Sequence, residues 1–203
     1  ADVLASLISK ELDKRSSGLE ILDIGSGGAK YWKPILRLYG SSLTVTLFDP
    51  AKPKILQELT ELGDVNYVEG FAPDGLVDFA DQSFDIVVAL DLIEHVQQST
   101  GYLLLYEIER ICSWRSLIFT PNGFVAQPPS LNNPFNAHIS SWTPSHLFSM
   151  GWSQQRGHTG FRPLFGRYGH PKAKNNFFRW VARLIAPLVR YAPVIAFSFS
   201  AVK

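Results

Sequence analysis

An apolar run that breaks into glycines, Ile21-Leu-Asp-Ile-Gly25-Ser-Gly-Gly28, constrains this chain more than any other stretch. Ile21, Leu22 and Ile24 read as a buried strand, because a short apolar run bounded by a turn signal is what a strand covered on both faces requires. Gly25 and Gly27 follow at once, and residues without a Cβ let the backbone turn tightly and come close to a ligand. A helical pattern resumes near Ala29.

A second apolar run, Leu43 to Phe48, ends at Asp49, 24 residues beyond Gly25. An acid at the tip of the second strand, roughly 20 residues past the glycines, is placed to accept hydrogen bonds from ribose hydroxyls. The third glycine of a dinucleotide fingerprint is replaced by Lys30, and no G-x-x-x-x-G-K-[ST] phosphate cradle is present. Both departures argue against a ligand held by its phosphates, and Lys30 argues against a nicotinamide-dependent oxidoreductase.

The pattern Asp23-Ile-Gly25-Ser26-Gly27-Gly28 resembles the first motif of class I S-adenosylmethionine-dependent methyltransferases. Tyr67–Gly70 is similar to that family's third strand and its exit, Asp81–Val96 to the fourth strand and following turn, and Ser116–Gly123 to strand five and its loop. Motif similarity covers residues 19–123, and Val194–Val202 resembles the last strand. The resemblance implies an α/β fold: a doubly wound, Rossmann-like, seven-stranded sheet with six parallel strands and one antiparallel strand from the C-terminus. It also implies S-adenosyl-L-methionine as cofactor. Gly25, Ser26 and Gly27 would admit its methionine end. Asp23 would orient the glycine turn or meet the cofactor amino group through water, Asp49 with Pro50 beside it would hold the ribose, and Leu90 and Asp91 would border the methyl. Many relatives carry an Asp after the glycine that ends strand three; this chain has Phe71, with Asp74 three residues on. Adenine recognition is then expected from stacking on Phe71 or from backbone near Ala72.

A chain of 203 residues suits one domain. Residues 1–123 are expected to form the cofactor-binding core, 124–176 the acceptor-side loops and a strand, and 177–203 a C-terminal helix and the last strand. The net charge of +1 conceals an asymmetry: the chain carries −10 up to Glu109, then +11 with no acid from Arg110 onward. Such a split suggests a partner of opposite sign, either an anionic acceptor or an anionic lipid surface; the alternative is that the halves neutralise each other. Nucleic acid is not expected, because no aromatic-basic module of known geometry occurs. The single Cys112 excludes a disulfide framework, is compatible with a reducing cytoplasm and is expected in the core. No secretory signal pattern opens the sequence, so a cytoplasmic protein is expected.

Beyond strand five, the Pro- and Asn-rich stretch 127–144 reads as a loop across the carboxyl edge of the sheet. Thr143 as N-cap and Pro144 as first helical residue should start a helix through about Met150, stopped by Gly151. The series Thr-Pro-Asn-Gly, Asn-Pro, His, Trp-Thr resembles a bacterial, type 11/12-like subgroup found near sugar, polysaccharide and lipid modification functions. That points to O-methylation of a sugar- or lipid-linked hydroxyl on a small-molecule acceptor. His138 is the first candidate base, with loop-pinning as its alternative role; His95, in Asp91-Leu-Ile-Glu94-His95, is the second. Glu94 reads as structural. No metal site is expected, since the acceptor half lacks carboxylates and His146, His158 and His170 lack zinc-like spacing with cysteine.

Trp142, Trp152, Phe124, Phe135 and Phe161 read as core residues or as walls of an acceptor pocket. Arg156, Arg162 and Arg167, set among glycines, read as a basic loop. The stretch 177–191 places Arg179, Arg183 and Arg190 on one helix face. It is expected either to pack on the sheet or to lie on an anionic membrane, and it is too interrupted by charge to span one. A reading from another class is a non-catalytic cofactor-binding module that scaffolds a partner at such a membrane surface.

Overall fold

The apolar runs become strands covered on both faces in the computed structural model, which describes residues 2–131, 133–161, 184–185 and 187–203. In β1 (Leu19–Ile24) every residue except Glu20 is buried, and in β2 (Leu43–Asp49) every residue except Thr44. β3 (Asp64–Glu69) buries only Val65, as a sheet-edge strand with a solvated face does. With β4 (Phe84–Leu90), β5 (Cys112–Pro121), β6 (Gln154–Phe161) and β7 (Ala196–Val202), they form one seven-stranded sheet in the order β3-β2-β1-β4-β5-β7-β6. β1 pairs in parallel with β2 and with β4, β2 with β3 likewise, while β6 and β7 are antiparallel. The α/β, mostly parallel arrangement expected from the sequence is therefore present. Strand order reverses between β1 and β4, where Ile24 lies opposite Ala89, and ligands of open α/β sheets bind beyond the carboxyl ends at such a reversal.

The chain divides into two compact units, residues 1–90 with 103–117, and residues 91–102 with 118–203. In the first, α1 (Asp2–Leu12) buries Leu4 and Ile8, and α2 (Trp32–Tyr39) buries Trp32, Ile35 and Leu36, each at the spacing of one helix face. Arg15 joins the end of α1 to the start of β4, donating to Glu11 Oε1 and Asp85 Oδ1 at 2.5 Å each. The other Asp85 oxygen accepts the Glu20 amide at 3.0 Å.

In the second unit, Trp142, Trp152 and Phe199 are fully buried. Thr143 caps α5 (Pro144–Ser149) by accepting the His146 amide at 3.2 Å, and Gly151, at φ +90°, follows the helix as expected. The two tryptophans are thus core rather than pocket wall, whereas Phe124 and Phe135 are exposed. Asn122 Nδ2 reaches the carbonyls of Pro193, Val194 and Ala196 at 2.9 to 3.2 Å, fastening the exit of β5 to the start of β7.

Several boundaries differ from the sequence reading. The helix after the glycine turn starts at Trp32 rather than near Ala29, because Ala29 sits at φ +49° and donates its amide to Ser26 O at 2.9 Å, prolonging the turn. The last strand starts at Ala196 rather than Val194, since Pro193–Ile195 forms a 3-10 turn. Arg156 lies within β6 opposite Ser200, not in a loop. Cys112 opens β5 and is only half-buried, because α4 (Gln98–Ile111) uses the preceding apolar pattern; that burial still pushes its thiol up. Arg162, Arg167, His170, Arg179 and Arg183 lie outside the described residues, as does most of the expected C-terminal helix; residues 187–191 are helical. Among the described residues no helix is long and apolar enough to cross a membrane.

Candidate functional site

The glycine turn of the first unit is built as its sequence demands. Gly25 and Gly27 sit at φ +69° and +51°, the left-handed region that a side chain disfavours. The Gly25 amide donates to Phe48 O at 2.8 Å, holding the exit of β1 to the end of β2. One residue on, Asp49 Oδ2 accepts the Gly27 amide and Oδ1 accepts the Ala51 amide, each at 2.8 Å. Asp49, expected from its spacing to meet a ribose, is in the structure the clamp of the turn. Each carboxylate oxygen keeps a second lone pair for a ligand hydroxyl.

Asp23 is fully buried. Its Oδ2 accepts Tyr31 Oη–H at 2.6 Å and Trp32 Nε1–H at 2.8 Å. Among the described residues its Oδ1 has no hydrogen-bond partner, nor has the buried Ser26 Oγ. Burial pushes the carboxyl up to about 6; the two donors pull it down and Asp49 nearby raises it, so desolvation wins. A buried acceptor left empty costs about 1–3 kcal/mol, so an ammonium donor is the group this oxygen best accommodates. The donor set thus fits the amino-acid end of S-adenosylmethionine. Phe71, beyond β3, is 55% exposed, with Ala72 half-buried beside it. Asp74 is exposed at the start of a 3-10 turn, Asp74–Asp78. Pro50 and Leu90 are half-buried.

In the second unit the chain turns sharply at Asp91, φ +53°, whose amide donates to Phe119 O at 2.9 Å. A 3-10 turn, Ile93–His95, then buries Glu94. The main-chain carbonyl of Glu94 accepts the amides of Ile139 and Ser140 at 2.9 and 3.1 Å. Trp142 Nε1 and Ser140 Oγ both donate to Ile93 O, at 3.0 and 2.9 Å. These bonds bring His138 to His95, their ring centroids 4.8 Å apart and nearly perpendicular. His95 Nδ1 lies 3.0 Å from Ala137 O, and His138 Nδ1 lies 2.7 Å from Val125 O. A carbonyl only accepts, so each Nδ1 carries a hydrogen, and a lone pair on either ring can lie only on Nε2.

Glu94 completes the group. Thr120 Oγ1 donates to its Oε2 at 2.9 Å, and the carboxyl also shares a hydrogen bond with that of Asp91. Burial and the nearby Asp91 charge push the Glu94 carboxyl up to about 8, against the Thr120 bond. Burial lowers His95. At neutral pH the cluster is therefore a protonated carboxyl beside a neutral imidazole, an arrangement that can accept a proton from a weak acid.

The structure thus joins Gly27 to Asp49 and His95 to His138. His146 and His158 stand apart in other contacts, with Tyr102 Oη at 2.7 Å and Ser200 Oγ at 2.9 Å. Sequence reasoning missed Tyr31 and Trp32 as the donors on Asp23, and it read Glu94 as structural only. Two adjacent aromatics with polar tips just past the turn were the available signal for the first pair; nothing local signals Thr120.

Residues 22–119 match the family described as a methyltransferase domain. The ubiquinone biosynthesis O-methyltransferase of Azorhizobium caulinodans is 37% identical over 83 residues, 39% of this chain and 31% of that protein. The match thus spans about a third of that relative's length. A SAM-dependent methyltransferase from Archaeoglobus fulgidus superposes with a TM-score of 0.57 at 16% identity, over 99% of this chain and 92% of that one. The Burkholderia thailandensis 1,6-didemethyltoxoflavin-N1-methyltransferase, solved with 1,6-didemethyltoxoflavin and S-adenosylhomocysteine, superposes at 0.54 and 15% identity, over 98% and 74%. By motif, domain match and strand order, the chain is similar to the class I S-adenosylmethionine-dependent methyltransferases. S-adenosyl-L-methionine is the cofactor of that family.

Proposed function

We propose that this protein transfers the methyl group of S-adenosyl-L-methionine to a hydroxyl of a small, sugar- or lipid-linked acceptor. The observation that carries the reading is the buried, half-satisfied Asp23 carboxylate beside the glycine turn. In this reading Asp23 Oδ1 and Ser26 take the cofactor's amino-acid end, and Gly25 and Gly27 let the backbone approach it. Asp49, with Pro50, holds the ribose; Phe71 and Ala72 meet the adenine; Leu90 and Asp91 border the methyl.

The chemistry asks little of the protein beyond alignment. An acceptor oxygen attacks the methyl carbon, the S–CH3 bond breaks with its electrons going to sulfur, and S-adenosylhomocysteine leaves. In-line positioning supplies most of the acceleration, and the hydroxyl proton passes to an imidazole lone pair. His138 is the first candidate, with Nδ1 fixed on Val125 O, and His95 the second. An oxygen acceptor draws support from the 37% identity to part of an O-methyltransferase, and an anionic one from the basic second half of the chain. Similarity to methyltransferases favours turnover over a non-catalytic scaffold.

Calorimetric titration with S-adenosylmethionine, S-adenosylhomocysteine and, as control, NAD tests the cofactor assignment. Binding of the first two alone is expected. Absence of binding by a folded chain would overturn the reading. An acceptor screen would then start from anionic sugars and glycolipids.

A further inference from the structure

We propose that Glu94, His95 and His138 form a binding site for one divalent transition-metal cation of zinc or cobalt type, whose occupancy takes up the imidazole lone pairs assigned above to the acceptor's proton. The second half of this inference rests on the proposed function; the first does not.

The ligand set is assembled by tertiary structure. His138 lies 43 residues beyond His95, yet one ligating atom from each of the three residues falls within 4.8 Å of the others. Zinc binds imidazole nitrogen at about 2.0–2.1 Å, so metal binding draws these atoms somewhat closer by side-chain rotation. The backbone already contributes what metal-binding histidines need around them. Each Nδ1 is held by a main-chain carbonyl, Ala137 O or Val125 O, the outer contact that fixes ring orientation and keeps Nε2 available.

Glu94 supplies the independent observation. It is 3% exposed, with one oxygen held by Thr120 and its carboxyl in hydrogen-bond contact with that of Asp91. Two carboxyls in contact beside two imidazoles concentrate acceptor atoms at one point, and a cation is their natural complement. Two imidazoles and one carboxylate suit zinc, cobalt or nickel; magnesium and calcium prefer all-oxygen sets. Three protein ligands would leave one tetrahedral position open. A bound cation and a transferred proton compete for the same imidazole lone pairs, so the metal is expected to act as a reversible inhibitor.

The test is titration of the chelator-treated full chain with Co2+ and Zn2+, read by calorimetry and by the visible absorption of cobalt, with Mg2+ as control. One-to-one binding of both, without magnesium binding, is expected. Glu94→Gln and His138→Asn should each weaken it at least tenfold while far-ultraviolet circular dichroism is retained. A readout without substitution is diethyl pyrocarbonate modification mapped by mass spectrometry: zinc should protect His95 and His138 and leave His146 reactive. No binding, or binding untouched by either variant and without that protection, overturns the site. S-adenosylmethionine binding measured on the same sample separates the readings, because its absence with metal bound overturns only the proposed function. With an acceptor in hand, transfer should fall as zinc is added and return with EDTA; transfer indifferent to bound zinc overturns the competition.

Discussion

Asp49 Oδ2 accepts the amide of Gly27 at 2.8 Å, so the acid that ends the second strand holds the glycine turn that ends the first. Its other oxygen takes the Ala51 amide at 2.8 Å. Replacing Asp49 with Ala removes two part-buried hydrogen bonds to a charged acceptor, each worth about 1.5–3 kcal/mol at most. Urea denaturation should show that loss, and calorimetry should show S-adenosylmethionine affinity reduced several-fold or more. Unchanged affinity in a folded variant would remove Asp49 from the site.

With Asp23 on the cofactor's ammonium, as proposed above, cofactor binding should be sensitive to pH. Its carboxyl is pushed from 3.8 up to about 6 by burial, so it protonates in the folded state where it is still ionised in the unfolded one. The folded state then binds more protons than the unfolded state across that window, so Asp23's contribution to stability falls as pH rises from 3.8 to about 6. An ammonium needs the ionised carboxylate, so affinity should move oppositely, weakening as pH drops through about 6. Calorimetry across about pH 5 to 8 on wild type and Asp23→Asn measures it; the variant should bind weakly with a flattened profile.

Gly101 is a packing position beneath Trp142. A Cβ built there would come within 2.3 Å of Trp142 Cζ2, on a ring that is fully buried and hydrogen-bonded to Ile93 O and Ser140 Oγ. Gly101→Ala should therefore cost about 1–3 kcal/mol through overpacking. Denaturation midpoints and tryptophan fluorescence report it, and a wild-type midpoint would mean that the loop shifts without cost.

His138→Ala should lower turnover by about a hundredfold if its imidazole takes the acceptor's proton. The Val125 carbonyl loses its donor in the variant, so circular dichroism and S-adenosylmethionine affinity must be measured beside the rate. Near-normal turnover by a folded variant would leave His138 as the pin of its loop.

Local pattern was enough for the sheet core and the glycine turn. Runs such as Ile21–Ile24 and Leu43–Phe48 announce strands buried on both faces, and Gly25 and Gly27 announce a backbone no other residue readily adopts. Spacing located Asp49, because acid and turn sit at the ends of adjacent parallel strands paired Ile24 to Phe48. The hold of Asp49 on the Gly27 amide was not legible, since it depends on strand register rather than distance along the chain. The start of α2 was misread for a local reason, Ala29 entering the left-handed region within the turn. His95 and His138 were legible as separate candidates. Their meeting beside the buried Glu94 arises only when the Glu94 carbonyl captures the amides of Ile139 and Ser140. Hydrogen bonds between segments more than forty residues apart, and the desolvation that follows them, have no signature in the order of the amino acids; they exist only once the chain has packed.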